Sequence, residues 1–404
     1  MQAPNVTILG MGYIGLPTAA LIANNQIKVN GYDINPLVVD TINRGEIHII
    51  EPGLQDMVKK GVSDGYLKAS ATLTPADVYL IVVPTPFKNN HEPDISFVEK
   101  ATRSCIPLLK ENDLFIIEST SPVLTTEKMA DLIFSERPEL TDCISVAYCP
   151  ERVLPGKAME ELVSNDRVIG GIDDKSTQKA IDFYSLFVQG QLHPTNARTA
   201  EMCKLVENSS RDVQIAFANE LSIICDKANI NIWELIELAN KHPRVNILQP
   251  GCGVGGHCIA VDPWFIVSDY PEQAHVIRQA REINDYKADW CVEKTLKTAL
   301  KFEVKHGKQP VIACMGLAFK PDIDDLRESP AKYIASKVIA EARGTVLIVE
   351  PHIKEHHSFA LSSLDEAYKN ADIVIWLVRH RDFIEINKVS DKIELDYCGV
   401  STLK

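Results

Sequence analysis

Short aliphatic and β-branched runs recur through the first part of the chain, at Val6 to Leu9, Ile27 to Tyr32, Val78 to Val83, Leu114 to Ile117 and Ile144 to Ala147. Each has the length of a strand, and helical or turn-rich sequence separates one from the next. Alternation of this kind predicts a parallel, doubly wound sheet. From about Thr199 to Asn229 the pattern changes: Met202, Leu205, Val206, Val213, Ile215, Ala216, Leu221 and Ile224 recur at near-helical spacing with no Gly or Pro among them. That predicts one long helix, and a second runs from about Gln273 to Lys305. Between them Gln249 to Cys258 holds four glycines and a proline, which keep it from being helix or strand. Strand-like runs resume at Val311 to Gly316, Thr345 to Val349 and Asp372 to Val378.

The chain therefore reads as an α/β protein of two Rossmann-like, doubly wound parallel sheets joined by a central helical domain. A length of 404 residues fits this, since one core seldom serves more than roughly 200. Boundaries are expected at 1–195, 196–305 and 306–404. The echo between the two ends is architectural only, because the second sheet has Gly316-Leu317-Ala318-Phe319 where a dinucleotide fingerprint would place three glycines.

Composition narrows the partners. A net charge of -13 disfavours a polyanion over the surface as a whole, so nucleic acid is not expected and any phosphate must be held locally. Ten cysteines without regular spacing, and an N-terminus lacking the basic and apolar regions of a signal peptide, predict reduced thiols and a cytoplasmic protein. No apolar run approaches the roughly 20 residues that span a bilayer.

The candidate chemistry begins at Gly10-x-Gly12-x-x-Gly15. The first glycine permits a tight turn, the second lets backbone approach a pyrophosphate, and the third lets helix pack on strand. Asp33, at the end of the next strand and about twenty residues on, suits an adenosine ribose and repels a 2'-phosphate, which favours NAD. Thr85 lies in Val83-Pro84-Thr85-Pro86, at the end of another strand or in a stiffened loop. Cys258 stands after a run of glycines, beside His257 and ahead of Asp262; most cysteines are merely buried, but this setting favours a nucleophile. Zinc on Cys252, His257 and Cys258 lacks further ligands at a fitting spacing, so no metal is expected. Lys204 and Asn208 are four apart and share a helix face. Asp324, Asp325 and Arg327 come after a strand of the second sheet, either as an ordinary charged loop or at a ligand site.

Five longer blocks specify more than any of these: Tyr148-Cys149-Pro150-Glu151-Arg152-Val153-Leu154-Pro155-Gly156, Glu201 to Asn208, His242-Pro243-Arg244-Val245-Asn246, Gly255 to Trp264, and Phe319-Lys320-Pro321 with Asp325 to Pro330. Together they resemble the UDP-glucose/GDP-mannose dehydrogenase family over essentially the whole chain. The resemblance implies a four-electron oxidation of a UDP-sugar at C6, in surface polysaccharide biosynthesis, with NAD as cofactor and Cys258 forming a thioester. It implies that Lys204 and Asn208 stabilise an oxyanion, that Asp262 manages a proton or water, and that Thr120 and Glu151 help activate water. At the cofactor it places Gly10, Gly12, Tyr13, Ile14, Gly15, Asp33, Thr85, Thr126 and Arg327. At the nucleotide sugar it places Arg152, Val153, Lys204, Asn208, Arg211, His242, Arg244, Gly255, Phe319, Lys320 and Arg327. Arg244 reaching a partner's site implies a homodimer through the central helices.

Val261 stands where the UDP-glucose branch carries lysine, and Pro155 where it carries a second glutamate. Both argue against UDP-glucose, and the branch resembled acts on UDP-N-acetyl-D-mannosamine, with the gluco epimer as the alternative. Cys252 replaces a usual proline, and the end at Lys404, soon after Val400, suggests a missing terminal helix. Rival readings are a silent NAD or UDP-sugar binder, which would need none of Cys258, Lys204 and Asn208, and a two-electron dehydrogenase, which would need no thiol.

Overall fold

In a computed structural model that describes residues 3–88, 91–154, 156–256, 258–386 and 391–402, the chain divides into two compact units, Met1–Val206 and Glu207–Lys404. The first is built on β1 (Val6–Leu9), β2 (Val29–Tyr32), β3 (Leu67–Ser70), β4 (Val78–Ile81), β5 (Leu114–Ile117), β6 (Ser145–Tyr148), β7 (Arg167–Gly171) and β8 (Leu192–Asn196). They form one eight-stranded sheet in the order β3-β2-β1-β4-β5-β6-β7-β8. The order reverses between β1 and β4, and open α/β sheets bind ligands outside the carboxyl ends of the strands at such a point.

Strands β1, β4, β5 and β6 are buried along their whole length and carry no charged residue, as strands covered on both faces require. Alternation sends Ile8, Leu80 and Ile116 into the core under one face, with Leu16 and Ala20 of the helix Gly15–Asn24. Leu9, Ile81, Phe115 and Ile117 enter the core under the other, with Val98 and Met129. One pairing departs from parallel: β7 runs antiparallel to β6, matching Ala147 with Gly171 and Tyr148 with Gly170. Gly170 is needed there, since a Cβ would come within 2.2 Å of the Asn196 carbonyl oxygen.

The second unit holds a four-stranded parallel sheet of β9 (Val311–Met315), β10 (Thr345–Val349), β11 (Ile373–Trp376) and β12 (Ile393–Asp396), in the order β10-β9-β11-β12. The two long helices are Ala197–Ala228, which contains the boundary between the units, and His275–His306. Within the second unit they are joined by polar contacts out of reach of water. Arg281 bonds Asp212 at 2.7 Å, Asn284 bonds Asp212 at 2.8 Å and Lys287 bonds Ser222 at 2.6 Å. Among the described residues no helix is long and apolar enough to cross a membrane.

Candidate active site

In the first unit the turn after β1 separates two kinds of glycine. A Cβ on Gly10, at φ +97°, would lie 2.4 Å from Val82 O, and one on Gly15 would lie 1.8 Å from Gly10 O, so the fold itself demands both. A Cβ on Gly12 meets nothing within 4 Å. Protein packing gives no reason for Gly12, and the open space beside it would admit the close approach of a ligand's phosphate. The next helix opens without a side-chain cap or an acidic residue in its first turn, which leaves its positive end available to an anion. Tyr13 is exposed and Ile14 half-buried at this end, and Thr85 is half-buried beyond β4. Asp33 steadies the turn by accepting the Met11 N–H at 3.0 Å and the Asn35 N–H at 2.9 Å. These residues fit a dinucleotide, which would bring a hydride acceptor to the carboxyl edge of the sheet.

Beyond β6 the chain brings Glu151 and Lys204 together: Lys204 Nζ donates to the Glu151 carbonyl at 2.8 Å. The Glu151 carboxylate accepts the Arg152 N–H at 2.6 Å and faces Arg167 at 3.1 Å. Thr120 is half-buried in the loop after β5, Arg152 reaches the Asp166 carbonyl at 3.2 Å, and Val153 packs against the core. Thr126 does not present its hydroxyl to a cofactor. It is wholly buried, and its N–H and hydroxyl both donate to Glu201 at 2.7 Å. Glu201 also accepts the Leu124 N–H, so this carboxylate ties the loop after β5 to the long helix.

In the second unit Cys258 is the exposed one of the ten cysteines, none of which is in a disulfide. Its carbonyl accepts the Val261 and Asp262 N–H groups at 3.0 and 2.8 Å, which sets the loop against the helix Asp262–Asp269. Asp262 therefore opens a helix, and Pro263 is accommodated in its first turn, where the missing N–H is not needed. Asn208 Nδ2 donates to the buried Asp262 carboxylate at 2.5 Å. Gly255 and Gly256 let the loop lie directly on Phe319, whose side chain a Cβ at either would reach within 2.9 Å. The Gly256 N–H bonds the Arg327 carbonyl at 3.2 Å. Cys258, Gly255, Phe319 and Arg327 are thus neighbouring segments, with the Arg327 guanidinium bidentate on Asp325. Lys320, Arg211, His242 and Arg244 are exposed. His257 and Pro155 lie outside the described residues.

Asp322, His352 and His380 offer ligand atoms within 4.8 Å of one another. Two of the three side chains are already engaged. His380 Nδ1 accepts the Asp322 N–H at 2.9 Å, its Nε2 faces Glu350 at 3.2 Å, and Asp322 binds Arg381 through both oxygens. The cluster braces three loops through these contacts. Sequence reasoning missed Glu118, Arg167, Tyr184 and Glu201, all buried and each meeting its partner across a long stretch of chain. Glu201 opens one of the five blocks quoted above without a task of its own, and no local pattern marks the other three.

Three parts of the chain match, in order, the NAD binding domain of the UDP-glucose/GDP-mannose dehydrogenase family over residues 4–188, its central domain over 198–286 and its UDP binding domain over 313–400. The chain belongs to this family. A UDP-N-acetyl-D-mannosamine dehydrogenase of Campylobacter jejuni is 54% identical, with 98% of this chain and 100% of that protein covered. An NDP-N-acetyl-D-galactosaminuronic acid dehydrogenase of Ralstonia nicotianae is 51% identical, over 99% and 96%. Among solved structures, the UDP-D-ManNAc dehydrogenase of Pyrococcus horikoshii superposes with a TM-score of 0.88 at 38% identity, over 99% and 96%. The glycine turn and Asp33 are accordingly part of the family's NAD binding domain, and the loop from Phe319 to Arg327 part of its UDP binding domain.

Proposed function

We propose that this chain oxidises the C6 hydroxyl of UDP-N-acetyl-D-mannosamine to the carboxylate, giving UDP-N-acetyl-D-mannosaminuronate for surface polysaccharide. Support comes from the Campylobacter and Pyrococcus relatives and from one observation above all: an exposed Cys258 on a glycine loop that also anchors Asp262. NAD supplies the hydride acceptor for both oxidations. Loss of the first hydride leaves an aldehyde, and the Cys258 thiolate adds to its carbonyl carbon. The thiohemiacetal loses the second hydride to become a thioester, and water cleaves it to carboxylate and thiol. Lys204 and Asn208 serve the developing oxyanion. Asp262, fixed by Asn208, handles the proton, with Thr120 and Glu151 orienting water.

Lys320, Arg327 and Arg244 supply the local positive charge that a diphosphate needs on a chain of net charge -13. Three parts, 1–195, 196–305 and 306–404, divide these tasks. Phe217 and Ile224 stand exposed on the long helix, which favours a homodimer through the central helices. The reduced thiols favour the cytoplasm. The Ralstonia relative favours a second reading, the galacto configuration, and the gluco epimer stands beside it.

One assay tests these together. Pure protein is incubated with NAD and each UDP-N-acetylhexosamine separately, and NADH formed per sugar consumed is measured. Two per mannosamine nucleotide is expected. One, with aldehyde released, would discard the thioester route, and none with any sugar would leave only a binder.

A further inference from the structure

Beneath Glu151 the first unit buries a set of charged groups to which the reaction above gives no task. Arg167 opens β7 and is 3% exposed. Its Nη1 lies 3.1 Å from Glu151 Oε2, its Nη2 donates to the Leu162 carbonyl at 3.3 Å, and its guanidinium carbon sits 5.1 Å from the centre of the Tyr184 ring. The Tyr184 hydroxyl is hydrogen-bonded to Glu118, which is also 3% exposed. Burying two carboxylates and a guanidinium costs desolvation that their attraction does not reliably offset, and an aliphatic core would be at least as stable. The arrangement therefore calls for a reason other than stability.

Glu151 supplies it. The same residue whose carboxylate meets Arg167 holds Lys204 Nζ on its carbonyl at 2.8 Å, so fixing one end of Glu151 fixes the aim of the Lys204 ammonium. We propose that Arg167 is a positioning residue for the reaction, holding Glu151 and through it Lys204, with Tyr184 and Glu118 as the clamp that holds Arg167. The inference rests on the roles given above to Lys204 and Glu151.

The clamp also gives the positioning a pH dependence. The groups facing Glu118 are Arg167 from β7, Glu151 and the Cys149 thiol from the segment after β6, and Tyr184 from the helix Asp174–Tyr184. Burial pushes the Glu118 carboxyl up to about 7, with Arg167 opposing and Glu151 adding to the shift. Burial likewise raises the Cys149 thiol to about 12 and the Tyr184 hydroxyl well above its ordinary range, so both keep their protons near neutrality. On ionising, Glu118 competes with Glu151 for one guanidinium, and the hold on Glu151 slackens.

The test compares full-length wild type with Arg167→Lys, Tyr184→Phe and Glu118→Gln in steady state, using NAD and UDP-N-acetyl-D-mannosamine, with the gluco and galacto nucleotides alongside. Arg167→Lys is expected to lower kcat about 10- to 100-fold, the scale of a misplaced catalytic group. Tyr184→Phe keeps the ring under the guanidinium and removes only the hydroxyl; about three- to tenfold is expected. Both should leave the KM for NAD within about twofold. Glu118→Gln cannot ionise, so its kcat relative to wild type should be near one at pH 6 and rise to about threefold above pH 8. Unchanged kcat in the first two variants, a flat ratio in the third, or kcat and the KM for NAD moving together with a fall in Tm would each overturn the inference while the proposed function stood. A wild type inert toward all three sugars would overturn the proposed function and this inference with it.

Discussion

After β1 the backbone turns through Gly10 at φ +97°, against Val82, and after β9 it turns through Gly316 at φ +102°, where a Cβ would strike the Val378 side chain at 2.5 Å. A carboxylate at the end of the next strand then grips each turn: Asp33 accepts the Met11 N–H at 3.0 Å, and Glu350 accepts those of Leu317 and Ala318 at 2.7 and 2.9 Å. Past the turn the two units part ways. The first turn leads at once into the helix Gly15–Asn24, whereas the second runs on through Phe319, Lys320 and Arg327 before the helix Pro330–Glu341 begins. Asp33 is half-buried, while Glu350 is 4% exposed and engaged further by the His352 N–H and by His380. One scaffold leaves a helix end uncapped after its turn; used again, it runs on through a loop of side chains and locks its carboxylate into the core.

The sharpest break between the units is chemical. Cys258→Ala, confined to the second, is expected to lower turnover by about 10⁴-fold or more while NAD affinity stays within a few-fold. NADH release and a fluorescence titration with NAD read the two quantities, and retained activity would remove the nucleophile from this loop. Next in size is the locked carboxylate. Glu350→Ala leaves His380 and three N–H groups without their acceptor, and should cost about 3 to 4 kcal/mol in urea unfolding with no change in NAD affinity. A loss below about 1 kcal/mol would mean that the second carboxylate is as dispensable to the fold as an exposed one.

Two buried glutamates also set the units apart in pH. In the second, burial works against the Glu350 charge, but His380 and the surrounding N–H groups prevail and hold it below its ordinary range. Its contribution to stability is present above that range and is lost as pH falls. In the first, burial lifts Glu118 from 4.5 to about 7. Between those values the folded state keeps a proton that the unfolded state has released, so stability falls as pH rises through this window and is level above it. The loss is on the order of 3 kcal/mol for one such group. Glu118→Gln should abolish that decline, seen as urea midpoints at pH 5 and pH 8 that differ less than in wild type; an unaltered difference would place the titration elsewhere.

Legibility in the sequence obeys the same division between local and distant causes. Val6 to Leu9 and Leu114 to Ile117 are strands to the residue, because a mostly apolar run of that length needs cover on both faces, and Thr345 to Val349 matches to the residue at the sheet edge, where only its last two positions are buried. The long helices were legible from their spacing to within about two residues. Strands β3, β7 and β8 were not, since Leu67–Ser70, Arg167–Gly171 and Leu192–Asn196 mix charge, glycine and proline and are strands only because a neighbour pairs with them. At the site, Gly10, Asp33 and Cys258 stand in compact motifs and could be picked out. Thr126 lies in the first turn of the helix Thr125–Glu136 and turns inward to Glu201, and the Glu118, Tyr184 and Arg167 set meets across separate elements. Burial of that kind leaves no local periodicity to read.

The smallest test converts one turn toward the other. The position two beyond Gly316 is Ala318, buried at 1% exposure, so the second turn already tolerates a methyl group where the first has Gly12. Gly12→Ala adds a Cβ that meets no protein atom within 4 Å, so the fold should be kept and Tm should move by no more than about 2 °C. The methyl group would instead occupy space at the helix end that a pyrophosphate needs, and the KM for NAD should rise about three- to tenfold with the KM for the UDP-sugar unchanged. Equal NAD affinity in this variant would show that the open space beside Gly12 is not where the dinucleotide lies, and the contrast between a backbone turn and a side-chain loop would then have to be drawn from Asp33 alone.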